Sequence, residues 1–304
     1  MADMLNKAGV TMRRIAVRLC GIPLGGKIPT ISELEESCGA SRGNVQKALA
    51  ALKGVGAVTL EAHGQNGTLL TSVDYLALAG ACGRRHLVGT MPLPYTQRYE
   101  GLATSLYTLL SAGGIRSFIT FARGSEARVQ MLLDGSADYA VMSQMAFDEY
   151  RSRGCALDAT LICGPLSYVG RHVLLVADPQ RSDWTGARVG IDESSADQSS
   201  LTRRYFADAD VDYIPVQYTH IVGMLLAGDL DVGIWNEDDV HMQASGLAMR
   251  PLGDLGAQDS NTRAVIVVRA DDPLSRQLIR SLASAEKIEE IQQQVMAGRL
   301  AVRY

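Results

Sequence analysis

The chain has 304 residues, 47% of them apolar and 20% charged, with a net charge of −4. That length suits two domains and that composition an ordinary globular core. No run of about 18 apolar residues occurs, which excludes a membrane-spanning helix.

Five cysteines (Cys20, Cys38, Cys82, Cys155, Cys163) are scattered without a Cys-x-x-Cys pair. They argue against a disulfide framework or a zinc site and suit a reducing cytosol. Arg13-Arg14 resembles a twin-arginine export signal, but Arg18 interrupts the apolar run and no small-x-small site follows. The chain reads as not exported, so a cytoplasmic location and no membrane partner are expected. Charge is uneven: residues 1–70 carry eight Lys/Arg against five Asp/Glu, a net +3, and the remainder carries −7. A basic head on an acidic body suits a DNA-binding module joined to something else.

The spacing of Leu5, Ile15, Ala16 and Leu19 predicts a helix over 4–19, ended by Gly21-Ile22-Pro23 and Gly25-Gly26. A second helix begins at Thr30, where Thr30 and Glu33 form a capping-box pattern, and Gly39 closes it. A third starts at Ser41, a good N-cap, and buries Val45, Ala48, Leu49 and Leu52. The short turn at Gly39 gives a helix-turn-helix. A strand over 55–60, a tight turn over 64–67 and a returning strand over 68–71 form a hairpin wing.

The stretch 25–34, then 39–49, then Leu52, Gly56, Val58 and Gly67-Thr68 resembles the GntR-type winged helix, over nearly all of 4–71. The resemblance implies that Ser41, Arg42, Asn44, Gln46 and Lys47 meet DNA, with His63 and Asn66 at the wing tip and Lys27 as a further basic contact. Gly43 departs from the side-chain-bearing residue usual there. A helix N-terminus in the major groove can present Arg to guanine and Asn or Gln to adenine, and it favours phosphate. The alternatives are that Arg42 and Lys47 are solvated surface charges, that His63 and Asn66 belong to an ordinary turn, or that the winged helix contacts protein.

From residue 87 onward strands alternate with helices. Leu132-Leu133-Asp134-Gly135-Ser136-Ala137-Asp138 precedes the apolar run Tyr139-Ala140-Val141-Met142. Leu225-Leu226-Ala227-Gly228-Asp229-Leu230-Asp231 precedes Val232-Gly233-Ile234-Trp235 in the same register. Strands over 86–90 and 187–191 stand before the copies, so two similar α/β lobes are expected. Strands over 171–176 and 263–268 suit crossovers between lobes, and a helix over 273–297 would pack back on the first.

Two lobes, two crossovers and a cleft resemble the class-two periplasmic-binding-protein-like fold. Joined to the head, this layout is similar to YhfZ-type transcription regulators. The fold class expected is therefore α/β: an N-terminal winged helix-turn-helix plus a two-lobed periplasmic-binding-protein-like (class two) α/β domain. The expected boundaries are 1–72 for the winged helix, 73–86 for a linker and 87–304 for the effector domain. Lobe 1 would take about 87–170 and 263–304, and lobe 2 about 178–262.

Ligands of open α/β sheets bind beyond the carboxyl ends of strands. The loops there nominate Tyr95, Arg123, Ser125, Ser143, Ser194, Ser195, Trp235 and Asn236. Ser125 and Ser195 stand where helix N-termini offer free amides to a carboxylate or phosphate. Ser125 and Asn236 could instead cap helices, Arg123 could be solvated, and Trp235 could be core. Glu237-Asp238-Asp239 would repel an anion, leaving the ligand's sign open. No nucleophile elbow, P-loop, His-Glu-x-x-His or dinucleotide glycine signature occurs, so no catalytic residue, metal or cofactor is nominated. The expected protein is a transcription regulator sensing a small molecule. Its expected partners are a near-palindromic operator in double-stranded DNA, an unidentified effector and a second copy of the chain. The alternatives are a ligand-binding protein without specific DNA readout and an enzyme of the binding-protein fold.

Overall fold

The computed structural model describes residues 7–238, 246–255 and 259–304. In chain order its first elements are α1 (Lys7–Cys20), α2 (Ile31–Cys38), α3 (Arg42–Gly54), β1 (Val58–Ala62), β2 (Thr68–Val73) and α4 (Tyr75–Ala81). Next come β3 (His86–Met91), α5 (Gln97–Ala112), β4 (Arg116–Phe121), α6 (Ser125–Leu133), β5 (Tyr139–Ser143), α7 (Gln144–Ser152) and β6 (Leu157–Ile162). Then follow β7 (His172–Val176), β8 (Ala187–Ile191), α8 (Ala196–Tyr205), β9 (Val211–Pro215), α9 (Ile221–Ala227), β10 (Val232–Asn236) and β11 (Ala248–Pro251). The chain ends with α10 (Asp259–Thr262), β12 (Ala264–Arg269), α11 (Pro273–Leu282) and α12 (Ala285–Met296).

The chain divides into two compact units. The smaller takes Met1–Leu87, Leu110–Arg116 and Ala270–Leu282, and the larger takes Val88–Leu109, Ser117–Arg269 and Ala283–Tyr304.

In the smaller unit, Ile15, Ala16 and Leu19 of α1 meet the buried face Val45, Ala48, Leu49 and Leu52 of α3. The capping box forms: Thr30 N donates to Glu33 Oε2 (2.6 Å) and Glu33 N to Thr30 Oγ1 (3.3 Å). Gly39 ends α2 at φ +58°, a left-handed conformation that glycine adopts without Cβ strain. The strand expected over 55–60 starts later, because α3 runs on to Gly54 and the chain turns at Val55-Gly56. β1 and β2 pair antiparallel, and the tight turn expected over 64–67 takes the form of a short 3₁₀ turn over Gly64–Asn66. The expected helix start at 4–6 lies outside the described residues.

Two expectations are corrected here. Residues 73–86 are not simply a linker: Asp74 Oδ1 accepts from Ala77 N (2.9 Å) and starts α4, whose Leu78 and Ala79 are fully buried. The helix expected over 273–297 is two helices, because the Ser284 hydroxyl accepts from Lys287 N (3.4 Å) and caps a new start. The first of the two, α11, turns Leu274, Leu278 and Ile279 inward and packs on α1 and α4. The second, α12, belongs to the larger unit, where Gln292 Nε2 donates to the Arg98 and Ser167 carbonyls (2.9 and 2.7 Å).

The larger unit holds two five-stranded sheets, β4-β3-β5-β12-β6 in lobe 1 and β11-β7-β10-β8-β9 in lobe 2. In each, parallel strands are joined by one antiparallel crossover: β12 against β5 and β6, and β7 against β10 and β11. The sequence repeat has a physical reason. Gly135 and Gly228 end α6 and α9 at φ +79° and +78°. The aspartates three residues later then clamp the neighbouring strand: Val88 N donates to Asp138 Oδ2 and Arg188 N to Asp231 Oδ2, both at 2.8 Å. The protein is thus a mixed α/β chain with an N-terminal helix-turn-helix.

Candidate functional site

Two surfaces gather the residues nominated from sequence. On the head, Ser41 stands at the N-cap of α3 with extended backbone, and its hydroxyl makes no capping bond. Arg42, Gln46 and Lys47 are exposed and Asn44 is half-buried. Arg42 lies 3.8 Å from Glu35, an exposed pairing worth little in water. A groove between α3 and the wing is lined by Lys27, Gln46, Lys53, Gly67 and Thr68. Lys53, outside the nominated set, adds a second lysine to it. The side chain of Lys27 lies against Gly67, where a Cβ would collide with it. His63 is exposed beside Glu61 at 3.7 Å, and the Asn66 side chain lies outside what the structure describes.

The second surface is a cavity of about 380 Å³ in the larger unit, built from the carboxyl-end loops of both sheets. Tyr95, Arg123, Ser125, Ser194, Ser195 and Asn236 line it. Ser143 and Trp235 do not. Ser143 is fully buried at the end of β5, donating to Asp197 Oδ1 (2.5 Å) and capping α7 through Ala146 N. Trp235 lies in the lobe 2 core with Val173, Leu175, Ile221 and Leu230. It backs the wall by stacking flat on Tyr218 (centroids 4.2 Å apart, 1° between planes), and Tyr218 does line the cavity.

The other lining residues were missed in the sequence, and they carry most of its chemistry. Arg128, on α6, is 4% exposed and donates to the Ala122 carbonyl (2.9 Å) and Tyr168 Oη (3.3 Å). Asp192 accepts from Ser194 N (3.0 Å), Ser194 Oγ (2.6 Å) and Tyr218 N (2.8 Å). Gln198 holds the end of β8 from both sides, accepting from Asp192 N and donating to the Gly190 carbonyl. Burial pushes the Asp197 carboxyl up to about 6, against the Ser143 hydrogen bond and the charge of Arg128. Burial also pushes the His172 imidazole down to about 4, so it is neutral near pH 7. Tyr95, Tyr99 and Tyr168 form an edge-to-face run beside Arg128. A signal for Arg128 was available: a charge between Ser125 and Val129 on a helix whose Leu132 points to the core.

The two lobes touch at this cavity. Ala196 N donates to Ser125 Oγ (3.2 Å), and a Cβ on Gly124 would meet the Ser194 carbonyl at 2.5 Å. The acidic turn after β10 faces arginines: Asp238 accepts from Arg98 Nε (2.9 Å), and Glu237 pairs with Arg171. The third acid of that run, Asp239, lies outside the described residues. No group of three or more His, Cys, Asp or Glu that could hold a metal occurs among the described residues, and no helix there is long and apolar enough to cross a membrane.

Comparison with known proteins gives two family matches. The YhfZ C-terminal domain matches residues 74–304, and a helix-turn-helix domain matches residues 23–70. The chain belongs to the YhfZ family. YhfZ of Escherichia coli strain K12 is 35% identical over 303 residues, covering 99% of this chain and 98% of that one. The crystal structure of YhfZ from Shigella flexneri is 35% identical, with a TM-score of 0.63, covering 72% of this chain and 94% of that chain. An ancestral arginine-binding protein bound to arginine is 14% identical, with a TM-score of 0.53 over 72% of this chain and 99% of its own. That likeness places the YhfZ C-terminal domain among binding-protein folds and concerns the fold alone.

Proposed function

We propose that this YhfZ-family chain is a cytoplasmic transcription regulator whose head reads DNA and whose cleft holds a small effector. The observation that carries the reading is the exposed first turn of α3, with Ser41, Arg42, Gln46 and Lys47 outward and the opposite face buried. The GntR-type contact pattern and the nominated residues other than Ser143 and Trp235 belong to this proposal. Two heads of a homodimer would meet successive major grooves about 34 Å apart on a near-palindromic operator. The effector acts by binding one arrangement of the dimer better than another. A covalent route runs from cleft to head: crossover strand β12 ends at Arg269, and α11 of the smaller unit begins at Pro273.

The test is to capture genomic fragments on purified protein and sequence them after washing in moderate salt. One enriched palindrome is expected, and Arg42→Ala should lose about 1–3 kcal/mol of affinity for it. Sequence-blind, salt-sensitive retention, with and without effector, would overturn specific readout.

A further inference from the structure

Three residues that line the cavity each carry a buried polar atom with no partner among the described residues: Nε of Arg128, Nδ1 of His172 and Nδ2 of Asn236. They stand at two poles. Arg128 belongs to lobe 1. A guanidinium carries five N–H donors, so its bonds to Ala122 and Tyr168 leave three to spare, Nε–H among them. No carboxylate among the described residues stands within ion-pair distance of it. Asp197 acts on it only from beyond contact distance, so a buried guanidinium with free donors is left for a bound anion to engage directly.

The second pole belongs to lobe 2. His172 and Asn236 are directly opposed on β7 and β10, and both are nearly fully buried. The imidazole is neutral and Asn236 has an amide, so this pole offers hydrogen bonds without charge. Tyrosine rings line the space between.

The sign of the ligand follows from which charges are already engaged. Asp192 and Asp197 also line the cavity, but both already accept from protein donors. Arg128 keeps free donors. Arg123 and Arg128 offset the two aspartates in the lining, so no excess positive charge is left to hold a dianion, and the free donors of Arg128 are what a single carboxylate meets.

We propose that the cleft takes a small organic acid, its single carboxylate on Arg128 in lobe 1 and a hydroxyl or amide at its other end on His172 and Asn236 in lobe 2. This rests on the cavity being the effector site. A ligand held at both poles ties the lobes together. A carboxylate can engage Arg128 bidentately, which gives direction as well as strength.

The test uses the full chain and two matched sets of probes. One is 4-hydroxybenzoate, benzoate and 4-hydroxybenzamide, and the other is 4-hydroxybutyrate, butyrate and 4-hydroxybutyramide. Thermal melts are read with each at millimolar concentration, beside inorganic phosphate. The hydroxy acid of one set raises the melting temperature most, its deoxy acid less, and the amide and phosphate little. Arg128→Met still melts cooperatively without ligand and binds the acid at least about tenfold more weakly than the native chain. Asn236→Ala removes the difference between hydroxy and deoxy acids. No shift with any carboxylate, equal shifts with the amides, or an Arg128→Met that binds the acids as the native chain does would each overturn the proposal. A cavity-filling Ser195→Trp separates the two levels. If it blocks a probe that Arg128→Met does not, the acid assignment fails and the effector site stands. If it blocks none that bind, the effector site fails as well.

Discussion

Asp197 is the residue whose environment most opposes its own charge. It is fully buried at the start of α8, and its neighbours are the Ser143 hydroxyl, the Ala146 amide, Arg128 and Tyr168. Burial outweighs the groups that favour the carboxylate, and the value rises from 3.8 to about 6. A raised folded value means that the native chain binds a proton more readily than the unfolded chain does. Above pH 6 the buried charge therefore costs stability. The cost fades as pH falls through 6 and is gone below 3.8. Asp197→Asn keeps the acceptor for Ser143 and removes the charge. It should stabilise the larger unit by on the order of 2 kcal/mol at pH 8. The gain should vanish by about pH 4, and chemical denaturation at both ends of that window measures it. An equal gain at both pH values would show that the folded carboxyl is not raised above its unfolded value. The Ser143–Asp197 bond joins β5 of lobe 1 to α8 of lobe 2, and nothing in the sequence signals it, because 54 residues separate the partners.

Elements were most legible where a local rule fixes them. The Thr30–Glu33 box, the left-handed Gly39 and the two Leu-Leu-x-Gly-x-x-Asp repeats each encode a helix end within a few residues, and each formed as expected. Elements defined by distant packing were not legible. α4 was read as linker because its apolar face Leu78-Ala79 gains meaning only against α11, about 200 residues later. The two helices are pinned by Arg84, which pairs with Asp272 at 2.9 Å, both side chains mostly buried. Burial alone would raise the Asp272 carboxyl, but Arg84 and the Ser275 hydrogen bonds outweigh it and hold it below the usual value. Arg84→Met should cost about 3–5 kcal/mol, because it leaves Asp272 buried without its counter-charge. Adding Asp272→Asn keeps an acceptor for the start of α11 and should recover more than half of that loss. A double mutant no more stable than the single would show that Arg84 acts by packing alone. Thermal melts of the three variants decide it.

At the scale of the molecule, the chain passes between its two compact units five times, so the compact unit that holds the helix-turn-helix is not residues 1–72 alone. The end of α1 that carries Cys20 packs on α11, and Gln277 Nε2 reaches the Cys20 carbonyl at 3.5 Å. Burial raises the Cys20 thiol to about 12, with Cys82 and Asp272 adding to the effect and Arg276 and Arg84 opposing it. Of these causes, only burial by α1's partners within the head survives in a fragment cut at residue 72. Cys38 provides an internal control, since it is buried between α2 and its own head neighbours. In the full chain both thiols should resist alkylation, because the thiolate is the reactive form and neither side chain is exposed. In the 1–72 fragment Cys20 should react at least tenfold faster than in the full chain, on the order of one lost pKa unit. Cys38 should stay protected for as long as the helix-turn-helix holds. Mapping the modified peptides by mass separates the two sites. Equal protection of Cys20 in the fragment and the full chain would show that the head folds independently of α4 and α11. The covalent path from β12 into α11 would then have no packing through which to reach the helix-turn-helix.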